Sequence, residues 1–361
     1  MNFLMPLINL NSSERKPCLS EKYLTPLKGG SSFVRMRLGN YNRPRLHLNK
    51  KLYSTHVKSS IVNSIDIKSW FVTGLIDAEG SFITSLRKTS ARSCGWEVQS
   101  MFKLGLHTRD LPLLEAIQSY LGGIGSINKS GDSLLVYRVS SLKDLAIILD
   151  HFSRYPLITQ KRADFELFKR VVSIRESGRH VTLEGLQEIV NIRASMNKGL
   201  TDELRIAFPK TIPVIRPIVT EVESKIPDPE WVAGFVSGEG NFSIGITKSV
   251  ECKTGHAVQL RFKLTQHSRD ELLLKSFISY FDCGTYYKYP NKPLGDYRCV
   301  NFVDINNKLL PFFKKYPILG VKSLDFNDWC LGAEIMQNKS HLTPEGLACI
   351  KAIKEGMNKG R

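Results

Sequence analysis

Two glutamates stand out for their setting. Glu79 closes the run Phe-Val-Thr-Gly-Leu-Ile-Asp-Ala-Glu-Gly-Ser-Phe at 71–82, and Glu239 closes Trp-Val-Ala-Gly-Phe-Val-Ser-Gly-Glu-Gly-Asn-Phe at 231–242. The glutamates lie 160 residues apart, as do Gly74 and Gly234. Each run is apolar and carries small residues four apart, Gly74/Ala78 and Gly234/Gly238. Positions i and i+4 share a helix face, so each run presents a flat stripe. Flat stripes let two backbones approach closely. Packed stripe to stripe, the helices would bring Glu79 and Glu239 out side by side, where each helix stops at Gly80 or Gly240. Adjacent carboxylates repel unless a cation neutralises them, and hard divalent cations with oxygen ligands suit that position. Magnesium keeps several waters, so few protein ligands suffice, and the carbonyls of Ala78 and Gly238 could complete the shell. Two metals held by carboxylates would supply what phosphodiester hydrolysis needs: an activated water and charge relief at the leaving oxygen.

The elements that must position these acids occur twice. In the first copy we expect helix 66–78, with Asp66 as N-cap, then strands 81–88 and 96–105. Helix 110–121 follows, its apolar residues at helical spacing. Short strands 124–129 and 133–140 flank Gly131-Asp132, a hairpin signal. Helices 142–152, 159–177 and 182–196 complete the unit. The second copy retraces the first. Phe102-Lys103-Leu104 returns as Phe262-Lys263-Leu264, and His107, Arg109 and Asp110 as His267, Arg269 and Asp270. Tyr155-Pro156 and Lys161 return as Tyr316-Pro317 and Lys322, and Met196-Asn-Lys-Gly as Met357-Asn-Lys-Gly. Two long copies suit a pseudo-two-fold monomer rather than a solenoid. The expected organisation is a basic, largely disordered extension over 1–64, a first repeat over 65–199, a connector over 200–229 and a second repeat over 230–361. Prolines at 209, 213, 217, 227 and 229 should break any regular element in the connector. Asp228-Pro229 gives the second central helix its N-cap and first residue.

Composition points to a polyanionic partner. The chain of 361 residues has net charge +17 and pI about 9.5, which favours nucleic acid. Residues 1–60 carry 11 Lys and Arg against two acids; a basic, acid-poor leader also fits a mitochondrial presequence. Seven cysteines without metal spacing fit ordinary thiols in a reducing compartment. No apolar run is long enough for a membrane span. His107 and His267 lack metal spacing and read as structural histidines.

Nucleic acid should be read on the sheet face turned away from the core, because an antiparallel sheet with one buried face exposes every second residue. Phe82, Thr84, Leu86, Val98, Phe102 and Leu104 mark the core phase. The exposed phase of the first half then includes Ser81, Ser85, Arg87, Gln99 and Lys103, joined by Asn128, Arg138 and Ser140. In the second half it includes Asn241, Ser243, Thr247, Gln259, Arg261, Lys263 and Thr265. Arg, Lys, Asn and Gln are the side chains that pair with base edges in the major groove.

From about residue 66 to its end, the chain resembles the LAGLIDADG homing endonucleases, closest to the single-chain type encoded in fungal mitochondrial introns. The two Glu-Gly runs carry the resemblance, together with Thr201-Asp-Glu-Leu, Ala207-Phe-Pro and Met357-Asn-Lys-Gly-Arg. It implies an α+β fold of two pseudo-symmetric αββαββα halves with saddle-shaped antiparallel sheets. It implies a mitochondrial monomer that cuts both strands of a long asymmetric DNA site with Mg²⁺ or Mn²⁺, leaving 3′ overhangs. In the family, lysines resembling Lys161 and Lys322 lie beside the metal site and support the water network or transition-state charge. Gln266 resembles a glutamine near the nucleophilic water; its counterpart here is Leu106, so the halves should differ chemically. Ser237 departs from the pattern, standing where Asp77 stands in the first motif. Some relatives act as maturases that bind their own intron RNA, which is the alternative reading.

Overall fold

The computed structural model describes residues 66–358; the expectation for the 1–64 extension lies outside the described residues. The first repeat runs α1 (Ser69–Glu79), β1 (Gly80–Lys88), β2 (Trp96–His107), α2 (Leu111–Tyr120), β3 (Ser126–Lys129), β4 (Leu134–Val139), α3 (Leu142–Arg154), α4 (Lys161–Glu176) and α5 (Leu183–Ala194). After α6 (Asp202–Ala207), the second repeat runs α7 (Pro229–Glu239), β5 (Gly240–Lys248), β6 (His256–His267), α8 (Glu271–Phe281), β7 (Thr285–Lys288) and β8 (Leu294–Cys299). Then α9 (Phe302–Asp304) passes through a π turn into α10 (Leu310–Lys315), followed by α11 (Lys322–Gln337) and α12 (Pro344–Glu355). Each half holds one antiparallel sheet, ordered β1-β2-β4-β3 and β5-β6-β8-β7. This is the α+β arrangement expected. No helix among the described residues is long and apolar enough to cross a membrane.

The seam between the halves is α1 against α7. A Cβ on Gly74 would lie 2.0 Å from the Trp231 carbonyl oxygen, and one on Gly234 would lie 2.0 Å from that of Phe71. Backbone touches backbone, and only glycine fits at both crossings. One face of each sheet packs on helices. Phe82 and Phe102 are fully buried beside Phe152, Phe165 and Phe168, and Phe242 and Phe262 beside Phe313, Phe326 and Trp329.

Two repeated sequence motifs prove to be fasteners. In Met-Asn-Lys-Gly, Asn197 and Asn358 adopt left-handed backbone, φ 48° and 56°. Asn197 donates its N–H to Asp164 (2.8 Å) and its side-chain amide to the Phe82 carbonyl (2.9 Å). Asn358 does the same to Asp325 (2.8 Å) and Phe242 (3.1 Å). In His-x-Thr-x-Glu-Gly-Leu, Thr182 and Thr343 cap α5 and α12, each accepting from the glycine N–H three residues on.

Three local expectations need correcting. Asp66 does not cap α1: its carboxylate is taken by Lys68 at 2.6 Å, and the helix starts at Ser69 without a side-chain cap. Gly80 and Gly240 end their helices in extended backbone, not the left-handed form. Glycine is required there for space, since a Cβ on Gly80 would sit 2.5 Å from Ile76 Cγ2. The connector does contain a regular element, α6, because Thr201 caps it and the prolines begin only at 209. Beyond α6, Arg216 pins the connector to the first half through a bidentate pair with buried Asp164 (2.6 and 2.9 Å).

Behind α1, His151 is buried, with Nε2 3.1 Å from Thr73 Oγ1 and Nδ1 3.3 Å from the Tyr120 hydroxyl. Thr73 also donates to the Tyr155 carbonyl (3.0 Å). Burial, aided by the charge of Arg154, holds the His151 pKa down at about 4.

Two outcomes follow from this packing. Gly74→Ala should cost about 3 kcal/mol or more of stability, because the carbonyl it meets cannot rotate away. Gly105→Ala, whose Cβ would meet nothing nearer than 3.5 Å, should change stability by less than about 0.5 kcal/mol. Equal urea midpoints for the two variants would refute the close crossing. Because the folded pKa of His151 is depressed, its neutral form favours the fold. That contribution is complete above about pH 6.5 and is lost as pH falls toward 4. Stability should drop by about 2 kcal/mol between pH 7 and pH 5, and His151→Gln should flatten that segment of the denaturation profile.

Candidate active site and nucleic-acid face

Glu79 and Glu239 end α1 and α7, and the seam brings them together. A Cβ on Gly238 would lie 2.4 Å from Ala78 Cβ and 3.1 Å from Glu79 Cγ. The two motif ends therefore abut, and Glu79 lies against the residue preceding Glu239. Burial raises the Glu239 pKa, and the Glu79 charge beside it raises it further. The two acids repel as the sequence implied, the nearby charges of Lys322 and Lys161 oppose the rise, and a cation between the acids would relieve it further.

Both lysines arrive at the same place. Lys161 and Lys322 are the first residues of α4 and α11, and both are half-buried. Lys161 Nζ donates to the carbonyls of Ile76 (2.9 Å) and Ala78 (3.1 Å), and Lys322 Nζ donates to that of Gly238. Desolvation pushes both ammonium groups down, Lys322 to about 8; the two glutamates oppose the shift. Gln266 lies within hydrogen-bonding reach of Glu239. Leu106 at the matching position lines the cleft of about 300 Å³ beside Glu79, with Gly238, Asp110 and Lys322.

The donor set fits a hard cation in part. Its atoms are oxygens of two carboxylates and two neighbouring carbonyls. Among the described residues no three His, Cys, Asp or Glu gather as a metal cluster, so water would have to fill most of the shell. The Ala78 and Gly238 carbonyls already accept lysine hydrogens, but each has a second lone pair.

Asp77 and Ser237, the mismatched pair, play related structural parts. Buried Asp77 accepts from Ile158 N (3.0 Å), Thr159 N (3.3 Å), Thr159 Oγ1 (2.6 Å) and Trp231 Nε1 (2.9 Å). Burial raises its pKa, and those donors oppose the rise. Ser237 accepts from Leu319 N (3.1 Å) and donates to the Ala233 carbonyl (2.8 Å). Asp77 thus ties the first motif to the segment leading into α4 and across the seam to Trp231. His107 and His267 accept from Arg109 N (3.2 Å) and Arg269 N (3.1 Å), capping the turns after β2 and β6, as structural histidines do.

The strands carry the candidate base-reading residues on the face opposite the aromatic core. Register aligns Ser81, Lys103 and Arg138 in one row, and Ser85 with Gln99 in another. The second sheet aligns Asn241 with Lys263, Ser243 with Arg261, and Thr265 with Asp296. Arg87, Asn128, Thr247, Gln259 and Arg261 are exposed, and Ser81, Ser85, Gln99, Lys103, Arg138, Ser140, Asn241, Ser243, Lys263 and Thr265 are half-buried. Met101 shares this face but is buried, paired with Ile83. The sequence reading missed Arg298, which continues the Asn241–Lys263 row. Its signal was present, because Arg138 with the 160-residue offset points to it. Arg298 lies 4.2 Å over the Tyr287 ring and is held by buried Asp296 at 2.7 Å.

Comparison with known proteins agrees with this fold. The family described as LAGLIDADG endonuclease matches residues 72–172 and 232–332. "Probable intron-encoded endonuclease 3" of Neurospora crassa is 44% identical over 305 residues, which are 84% of this chain and 56% of that relative. The chain thus spans little more than half of that relative's length. The crystal structure of the I-SmaMI LAGLIDADG homing endonuclease bound to cleaved DNA superposes with TM-score 0.80 at 48% identity, covering 82% of this chain and 98% of that one. I-SmaMI bound to uncleaved target in the presence of calcium ions gives TM-score 0.80 at 47% identity, covering 81% and 100%. With both repeats matched and these likenesses running across most of its length, the chain belongs to the LAGLIDADG endonuclease family.

Proposed function

We propose that the protein is a site-specific double-strand DNA endonuclease that requires a divalent cation, Mg²⁺ or Mn²⁺. The observation that carries this reading is the abutment of the Glu79 and Glu239 motif ends, each followed at once by the first strand of a sheet. DNA lying across both open faces would place its backbone over the seam. Two non-identical faces, such as Ser81 against Asn241 and Met101 against Arg261, suit a long asymmetric site read by a monomer with internal pseudo-symmetry. In this reading 65–199 and 230–361 act as the two halves and 200–229 as their connector. The paired acids favour cleavage over the alternative of binding intron RNA as a maturase. The intron-encoded name of the Neurospora crassa relative and the basic, acid-poor composition of residues 1–60 support a mitochondrial setting.

The residues divide the work as follows. Glu79 and Glu239, with the carbonyls of Ala78 and Gly238, would hold the cation. When bound, the cation supplies an activated water and stabilises charge at the leaving oxygen. Lys161 and Lys322, pinned to the motif carbonyls, stand where they can meet charge on the scissile phosphate. Gln266 fixes the Glu239 carboxylate through its amide. Lys103, Arg138, Lys263 and Arg298 cross the sheet centres and neutralise or read the duplex, and the polar residues beside them add base contacts.

A duplex carrying the intron-insertion site of the host gene tests this. Glu79→Gln and Glu239→Gln should each slow cleavage by about 100-fold or more while binding stays within about threefold, and chelation of the cation should stop the wild type. Undiminished cutting by both variants, or in chelator, would sink the reading. On the sheet, Arg261→Ala should relax base preference at one position by about 1–3 kcal/mol. Lys103→Ala should lower the salt-dependence slope by about one. An unchanged target-library profile and salt slope would argue against these contacts.

A further inference from the structure

We infer that Asp110 and Asp270 are positioning residues acting across the seam, each fixing the start of the helix that carries the other half's lysine. The inference rests on the nuclease reading above for its functional meaning. A helix start leaves backbone N–H groups without partners. Gln160 and Val321, the residues before Lys161 and Lys322, offer no side-chain cap of their own. The acceptor comes from the opposite repeat in both cases. Asp270 Oδ1 accepts from Gln160 N at 2.7 Å, and Asp110 Oδ1 accepts from Val321 N at 2.6 Å. The same bond at equivalent positions, made in both directions, is a property of the docked pair rather than of one loop. Gly320 leaves room for it, since a Cβ there would sit 2.5 Å from Asp110 Oδ1. A carboxylate at a helix N-terminus also meets the favourable end of the dipole.

The chain of contacts is short. An aspartate of one half holds the first turn of a helix in the other. One residue later the lysine leaves that turn and reaches back to its own motif carbonyl, Lys161 to Ala78 and Lys322 to Gly238. Each lysine therefore takes its place only when both halves are docked. Asp270 belongs functionally with Lys161, and Asp110 with Lys322, although each pair is split between repeats.

Strand-resolved single-turnover cleavage of the same duplex at saturating protein tests the pairing. Asp270→Ala should slow cutting by about 10- to 100-fold with DNA affinity within about twofold. Asp270→Asn keeps an oxygen acceptor and should recover most of the rate. The Asp270→Ala loss should vanish in a Lys161→Met background and persist in Lys322→Met, with the reverse for Asp110→Ala. Additive losses in both backgrounds, or coupling to the lysine of the same repeat, overturn the inference. On the free protein, amide exchange at Gln160 should accelerate and the Lys161 ammonium NMR signal should shift in Asp270→Ala only. Val321 and Lys322 should respond in Asp110→Ala only. Failure of those signals to move overturns the link even if the variants cut poorly. A wild type that never cuts would remove the nuclease reading, and the exchange and ammonium signals would still decide the link.

Discussion

The structure depends on how near two helix backbones can come. At the α1–α7 crossing the glycines Gly74 and Gly234 remove the side chains that would separate them, and each faces the other helix's carbonyl. An alanine on either side would wedge the pair open. Widening the crossing would part Glu79 from Glu239 and would also break the Asp77–Trp231 bond that spans the seam. The apolar runs read as buried helices for the ordinary reason of area removed from water. Their lack of bulk at two positions is what turns a buried pair into a shared site.

Charge is concentrated where it is most expensive. Lys161 and Lys322 are desolvated, and desolvation lowers both pKa values. They are held by carbonyls and by the fields of nearby carboxylates rather than by a bidentate partner. Half-buried cations so placed respond strongly to new negative charge, because the lowered local dielectric weakens screening. A phosphate brought over the seam would meet ammonium groups already stripped of much of their water.

Much of this was legible in the sequence, because a motif seen twice in the same order constrains architecture far more than one copy does. The strands, the core phase of each sheet and the meeting of the two acids follow from that repetition, whereas the lysines' place beside them comes from the resemblance to the family. What escaped is what sequence distance hides. The cap of α1 failed because Lys68, two residues on, competes for the Asp66 carboxylate. The helix α6 was obscured by counting prolines over the whole connector when all of them follow it. The bonds of Asp110 and Asp270 join residues 211 and 110 positions apart, and no local pattern announces an acceptor borrowed from the other repeat. Met101 is buried on a face otherwise read as solvent-facing because Ile83 pairs with it, a cross-strand effect invisible along a single strand.

The two halves are alike in backbone and unlike at one atom that matters. Gln266 lies within reach of Glu239, and Leu106, at the matching place, has no polar group to offer. A carboxylate with an amide beside it and one without are tuned differently, so in the proposed reaction the two cuts need not fall together. Under the proposed function, a nicked duplex would be an interval between the first scission and the second, and its length would depend on that one side-chain difference.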